Sequence, residues 1–330
     1  MKKWKYTIGI DVSKDTLDLH CSEINEHIQI VNGSQGFKNF MKWCKIHQIE
    51  LAESFLVMEF TGGYEYKFIQ FCETKKLPYA RISGLAIKRS MGITRGKSDQ
   101  VDAARIAQYG EEKHKVIQPA KPLNMGIIHL KELLAFRKRI VREQSGYKTT
   151  LNERMHMYPE LKKDIICKTL ETKIKENEKV ISKLDATLLE LASKDETIKA
   201  NYTLLTSIRG IGMVNALMTI AYTENFISFS NPRSYAVYVG VVPFEHSSGT
   251  SIKGRKKVSS ISNKELKQEL NQAARSAIQW DPEMRSYAER KMPAKCYNIV
   301  LNNVKFKLIL RMFAVVKRQE KYVDNYKKAA

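Results

Sequence analysis

The stretch YTIGIDVSKDTLDL, residues 6–19, sets the architecture: an apolar run of β-formers stops on an acid, Asp11, and then resumes. An aspartate at a strand end commonly opens a turn. It does chemistry only if other acids converge on it from elsewhere in the chain. Residues 6–12, 16–22 and 27–32 read as three short strands with turn-sized gaps, the spacing of an antiparallel meander. A helical pattern follows over about 35–48, with Phe37, Phe40, Met41 and Cys44 on one face. Then SFLVME (54–59) reads as a buried strand, 64–76 as a helix, YARIS (79–83) as a strand and 98–110 as a helix with Ser98 as its N-cap. Three strands followed by alternating helices and strands predict a mixed sheet covered by helices.

At 330 residues and 43% hydrophobic, the chain is long enough for two or three domains with their own cores. No apolar run approaches the roughly 18 to 20 residues of a membrane span, and MKKWKYTIGID lacks the apolar segment and cleavage site of a signal peptide. A soluble, cytoplasmic protein with no membrane partner is expected. The five cysteines (21, 44, 72, 167 and 296) are scattered and without CxxC spacing, so reduced thiols are expected rather than a disulfide framework or a zinc site. The net charge of +21 is concentrated in residues 201–330, where 21 basic residues face 9 acidic ones. Such a surplus favours a polyanionic partner through phosphate neutralisation, nucleic acid before an acidic membrane surface, because no basic amphipathic anchor is evident.

Three segments follow from the patterning: 1–125, an α/β domain; 126–200, helical; and 201–330, mainly helical. In the middle one, Leu170, Ile174, Asn177, Ile181, Leu184, Leu188 and Leu191 recur as a heptad seam. It suits either a helical hairpin, with an upstream helix over about 126–155 as antiparallel mate and Pro159 near the bend, or a coiled coil between two chains. In the last segment a helical pattern over 204–222 is broken at Gly210-Ile211-Gly212, which resembles a helix-hairpin-helix element. Such a turn exposes N–H groups at a helix start, a seat for phosphate, with Arg209 beside it. Residues 239–262 read as a polar loop carrying Lys253, Arg255, Lys256 and Lys257 just past a serine pair, where phosphate contact is expected. Helices are predicted over about 263–280 and 296–317.

Partners for Asp11 lie where this topology would put them. Glu59 ends the buried strand, and Asp99 and Asp102 share a face at the start of one helix. Each has a plainer reading, the helical pair as dipole partners and Glu59 as the cap of a turn. Jointly the four can converge on two divalent cations. Phosphodiester chemistry uses such a pair to hold the attacking and leaving oxygens, and hard oxygen ligands suit Mg²⁺. Arg95 and Lys97, just before the helix, fit a nucleic-acid backbone at the same place.

GIDVSKDTLD, MEFTGGYE and RGKSDQVDAARIA resemble the three acidic motifs of the DEDD transposases of insertion-sequence family 110, which include the Piv-type invertases. LLTSIRGIG through YVGVVPFEHSSG resembles that family's C-terminal transposase domain. The resemblance spans nearly the whole chain. It implies a RuvC-like, RNase H-type domain with Asp11, Glu59, Asp99 and Asp102 as metal ligands, and a catalytic serine in HSSG that maps to Ser248, with Ser247 as fallback. It further implies a site composed from two protomers in a dimer or tetramer, a structured guide-like RNA encoded by the element, and a nucleoid-associated prokaryotic setting. One departure stands out: the family's Gly-Arg-Ile-Ser-Lys-x-Gly pattern is replaced by KGRKKVSSISNKE, with Asn263 in it and a glycine missing.

Three other readings compete. A RuvC-type junction resolvase would use the acids and water without a serine. An actin-like sugar kinase also begins with a strand-turn resembling IGIDVS, but a second phosphate loop is not evident and +21 is unusual for a metabolite enzyme. The fourth is a nucleic-acid-binding protein with a degenerate site. His246 beside the serines is a poor general base, since adjacent residues rarely align nucleophile and base.

Overall fold

The computed structural model describes residues 4–90, 98–229, 231–248 and 252–324, with the side chains of 246–248, 252, 253 and 255 left out. Two compact units emerge, one running to Leu123 and the other beginning at Asn124. Among the described residues no helix is long and apolar enough to cross a membrane.

The first unit is a five-stranded mixed sheet. Strands β1 (Tyr6–Val12), β2 (Thr16–Cys21) and β3 (Glu26–Val31) form the expected antiparallel meander, and β4 (Ser54–Glu59) and β5 (Tyr79–Ile82) extend it in parallel, giving the order β3-β2-β1-β4-β5. Helices α1 (Ser34–Ile46), α2 (Tyr66–Thr74), α3 (Gly84–Ser90) and α4 (Asp99–Glu112) cover it. Strand alternation divides the work. Ile8, Ile10, Leu56 and Met58 pack with Phe37, Phe40, Phe68 and Ile69 of α1 and α2, while Phe55 and Val57 pack with Ile87 and Ile106 of α3 and α4.

The second unit is helical, and with the first makes a mixed α/β and α protein. It comprises α5 (Met125–Met157), α6 (Ile165–Ser193), α7 (Glu196–Thr206), α8 (Met213–Tyr222), α9 (Pro232–Val239), α10 (Lys264–Trp280), α11 (Pro282–Lys291) and α12 (Tyr297–Arg318). Helices α5 and α6 form an antiparallel hairpin. Arg137 pairs with Asp185, Lys148 with Glu178 at 3.2 Å, and Arg154 with Asp164, so numbers rise on one helix as they fall on the other. Within this chain the heptad seam therefore packs against α5. Tyr235 and Met312, both fully buried, sit in the core to which α5 to α12 all contribute.

One expectation is corrected. Part of the stretch read as a polar loop is a β-hairpin, β6 (Pro243–Ser248) with β7 (Ile252–Val258). Asn263, the departure from the family pattern, caps α10 by accepting a hydrogen bond from the Leu266 N–H at 3.0 Å.

Candidate active site

The parallel register Ile10↔Met58, continued by one residue, sets Asp11 beside Glu59 at the carboxyl ends of two central strands. Neighbouring strands run about 4.8 Å apart, and ligands of open α/β sheets gather at strand carboxyl ends. Helix α4 comes to the same place by close packing. A Cβ on Gly9 would stand 2.1 Å from the Ala107 nitrogen and 2.3 Å from the Ala103 oxygen, and one on Gly110 would meet Val57 and Thr7. Thus α4 runs antiparallel to β1, with Gly110 near Thr7, Ala107 near Gly9, and its first turn level with Asp11. Ser98 caps that turn, its hydroxyl accepting from the Val101 N–H at 3.3 Å.

Electrostatics report the same convergence. Burial raises the Asp11 carboxyl to about 6, and the charges of Asp102, Asp99, Glu59 and Asp18 add to the rise in that order. Of the four acids singled out in the sequence, three thus stand close enough to act on the fourth, Asp11. Asp102 also accepts from Arg105 at 2.9 Å. A Cβ on Gly84 would come within 1.9 Å of Glu59 Oε1, so that glycine makes room for the carboxylate.

Among the described residues no three His, Cys, Asp or Glu side chains stand ready to hold one ion together. The donor set nevertheless fits a hard divalent cation: four carboxylates, with neither nitrogen nor sulfur among them, and one already pushed toward its neutral form by burial and by its acidic neighbours. Closing them around an ion requires side-chain rotation, for Asp102 out of its pair with Arg105.

Behind Glu59 the chain is clamped by a group the sequence did not flag. Glu65 is fully buried and accepts from Thr61 Oγ1 at 2.7 Å, the Gly63 N–H at 2.8 Å and Arg81 at 2.8 Å. Burial works to raise this carboxyl, but the hydrogen bonds from Thr61, Arg81 and Gly63 outweigh it, and the net shift is downward. Asp18 was likewise missed; it is buried and receives hydrogen bonds from His27, at 2.9 Å, and from Gln29. Alternation along β2 could have found it, since Asp18 interrupts the apolar run TLDL.

The remaining residues fall in several places. Arg95 and Lys97 lie outside the described residues. Ser247 and Ser248 occupy the end of β6, where Ser248 is register partner of Ile252; Lys253 and Arg255 are on β7, and for all four only the backbone is described. Lys256 is exposed and paired with Glu245, and Lys257 is exposed. Gly210 has φ +91°, and a Cβ there would meet the Ala273 oxygen at 2.7 Å, so the turn between α7 and α8 is held against α10; Gly212 is the N-cap of α8. Arg209 is engaged within its own unit, paired with Asp324 at 3.2 Å and donating to the Trp280 carbonyl at 3.1 Å.

Two family models match the chain in order. A DEDD transposase model of the IS110 group covers residues 8–158, and a model described as Transposase IS116/IS110/IS902 family covers 202–289. No individually curated protein matches it. The first match contains all four acids and the second contains the serine hairpin, and together they span well over half of the chain: the protein belongs to the IS110 family of DNA transposases and is a DNA recombinase.

Proposed function

We propose that this transposase cuts and rejoins DNA through a transient phosphoserine at Ser248, with Mg²⁺ held by Asp11, Glu59, Asp99 and Asp102. DNA as partner and dependence on a divalent metal follow from the family. The observation that carries the reading is the raised carboxyl of Asp11, lifted to about 6 by burial and then by the charges of Asp102, Asp99 and Glu59, at the carboxyl end of a central strand of a mixed sheet. An all-oxygen set favours Mg²⁺ over softer ions. When bound, the metal would stabilise charge on the reacting phosphate oxygens.

The protein's own residues supply the rest. Ser248 Oγ bonds to phosphorus as the bond from phosphorus to one deoxyribose oxygen breaks, its proton leaving to solvent and the released sugar oxygen taking one up. An incoming strand's hydroxyl then reverses the exchange, so no external energy source is needed. Its own hydroxyl being a weak nucleophile, the serine requires activation, which the acids of a second protomer supply in this reading. The division into a catalytic region (1–125), a helical hairpin (126–200) and a serine-bearing region (201–330) belongs to the same proposal. So do homo-oligomer assembly and target choice by an element-encoded structured RNA, which the +21 charge accommodates.

The test is capture of covalent protein–DNA adducts in the presence of Mg²⁺. Wild type forms them; Ser248→Ala forms none and still binds DNA. Undiminished recombination by Ser248→Ala removes the serine, and free hydrolysed ends without adduct favour the resolvase chemistry instead.

A further inference from the structure

At the base of the serine hairpin the second unit holds a cavity of 460 Å³. Sites for small ligands commonly occupy about 300–1,000 Å³. Its wall begins with an irregularity in the β6–β7 ladder. The ladder pairs Phe244 with Lys257 and His246 with Gly254, so between these pairs the single residue Glu245 of β6 faces two residues of β7, 255 and 256. In a regular strand Phe244 and Glu245 would face opposite sides. Here both line the cavity, at the point where the extra residue of β7 interrupts the ladder and increases its twist.

The chemistry of the lining is specific. Phe244 is 46% exposed. No other ring stacks on it among the described residues. Phe306, anchored in the core, lines the cavity as well. Two amides from consecutive positions of α12 add polar groups. Asn302 spends its N–H on the Val241 carbonyl at 2.6 Å and keeps its oxygen as an acceptor, while Asn303 makes no hydrogen bond among the described residues. Glu245 is paired with Lys256, and among the described residues the Arg233 guanidinium has no ion-pair partner.

An exposed aromatic face, an open amide with both donor and acceptor, and a spare guanidinium match a nucleotide whose base is out of its stack. Aromatic rings take base faces, amides take base edges and arginine takes the phosphate. Paired bases inside a duplex cannot enter such a concavity. We infer that this cavity binds an unpaired nucleobase of a DNA or RNA strand, with Phe244 as the stacking platform, Asn303 on the base edge and Arg233 on the adjoining phosphate. The inference rests on the protein's acting on nucleic acid, and is independent of the serine chemistry.

Full-length protein in EDTA, where strand transfer is silent, is titrated by fluorescence anisotropy. The probes are a single-stranded DNA, the matching single-stranded RNA, their DNA duplex and an abasic sugar-phosphate strand of equal length. Phe244→Ala weakens whichever single strand is the natural occupant by about 5- to 100-fold, the worth of one base–aromatic stack, and leaves the duplex and abasic strand unchanged. Phe244→Trp retains binding, and Asn303→Ala reproduces the single-strand defect in part. Equal weakening of all four probes, or of none, overturns the inference. The ring is half exposed, so the fold is expected to survive, and melting curves check this. Base-dependent binding that survives in a Ser248→Ala protein without adducts separates this proposal from the one above.

Discussion

Asp11 and Asp18 are register partners on β1 and β2, and their surroundings treat them in opposite ways. Asp18 is buried and accepts from His27 and Gln29. Asp11 has burial and four other carboxylates acting on it, all in the direction that disfavours its charge.

That contrast makes Asp11 a stability liability in the metal-free protein. Its carboxyl sits near 6 when folded, above the ordinary 3.8, so the folded state holds the proton more tightly. Stability is therefore lost as pH rises through this window, by at most about tenfold in the folding equilibrium per pH unit. Asp11→Asn in EDTA should melt higher than wild type at pH 7–8, with the difference fading below pH 4. Calorimetry checks this, and the same variant should lose metal-dependent cleavage.

Two glycines test how the acids are positioned. The atoms nearest a Cβ at Gly84 all belong to the movable Glu59 side chain, so Gly84→Ala should cut metal-dependent cleavage at least tenfold while costing under about 1 kcal/mol of stability. At Gly9 the obstruction is the backbone of α4. Gly9→Ala should cost about 3 kcal/mol or more, the upper end for overpacking. Urea unfolding and cleavage rates separate the two cases.

Glu65 and Arg81 should behave as one unit. Removing Arg81 leaves Glu65 charged and fully buried, and removing the Glu65 charge leaves a half-buried guanidinium unpaired, so Arg81→Met should cost about 3–5 kcal/mol and Glu65→Gln somewhat less. The double variant should cost clearly less than the two combined. A double-mutant cycle by denaturant unfolding measures the coupling.

In the helical hairpin, the Asn177 Nδ2 is buried without a hydrogen bond. Asn177→Leu should raise stability by about 1 kcal/mol through removal of an unsatisfied donor. Because the seam packs on α5, oligomeric state in analytical ultracentrifugation should not change. A shift in oligomer size would mean that the asparagine specifies pairing between chains.

Lys305 offers a second pH signature. It is 4% exposed and donates to Asn271 at 2.8 Å. Burial, then Lys267, lowers its ammonium from 10.5 to about 8. The unfolded state binds the extra proton between those values, so stability rises as pH climbs from about 8 to 10.5. Lys305→Met should flatten that rise in the denaturation midpoint and stabilise the protein at pH 7.

The sheet and its acids were legible because alternation and strand ends are local signals. SFLVME and YTIGIDV carry their burial in their own composition, and Ser98 announces the helix that brings Asp99 and Asp102. The serine hairpin was not legible. PFEHSS and IKGRKKV are polar on both faces, so no apolar alternation marked them as strands. The partner of Arg209 was also hidden, since Asp324 lies at the far end of the chain and no spacing rule connects them. Heptads, for their part, specify a seam without saying which helix fills it.

Where α4 crosses β1, main chain lies almost on main chain, with only Gly9, Ala103 and Ala107 between. Such a joint has no compliant layer to absorb error. A displacement of the helix reaches its first turn undamped, and half of the carboxylate quartet rides on that turn. Precision at the acid-bearing end is thus inherited from tolerance at the hinge of smallest atoms.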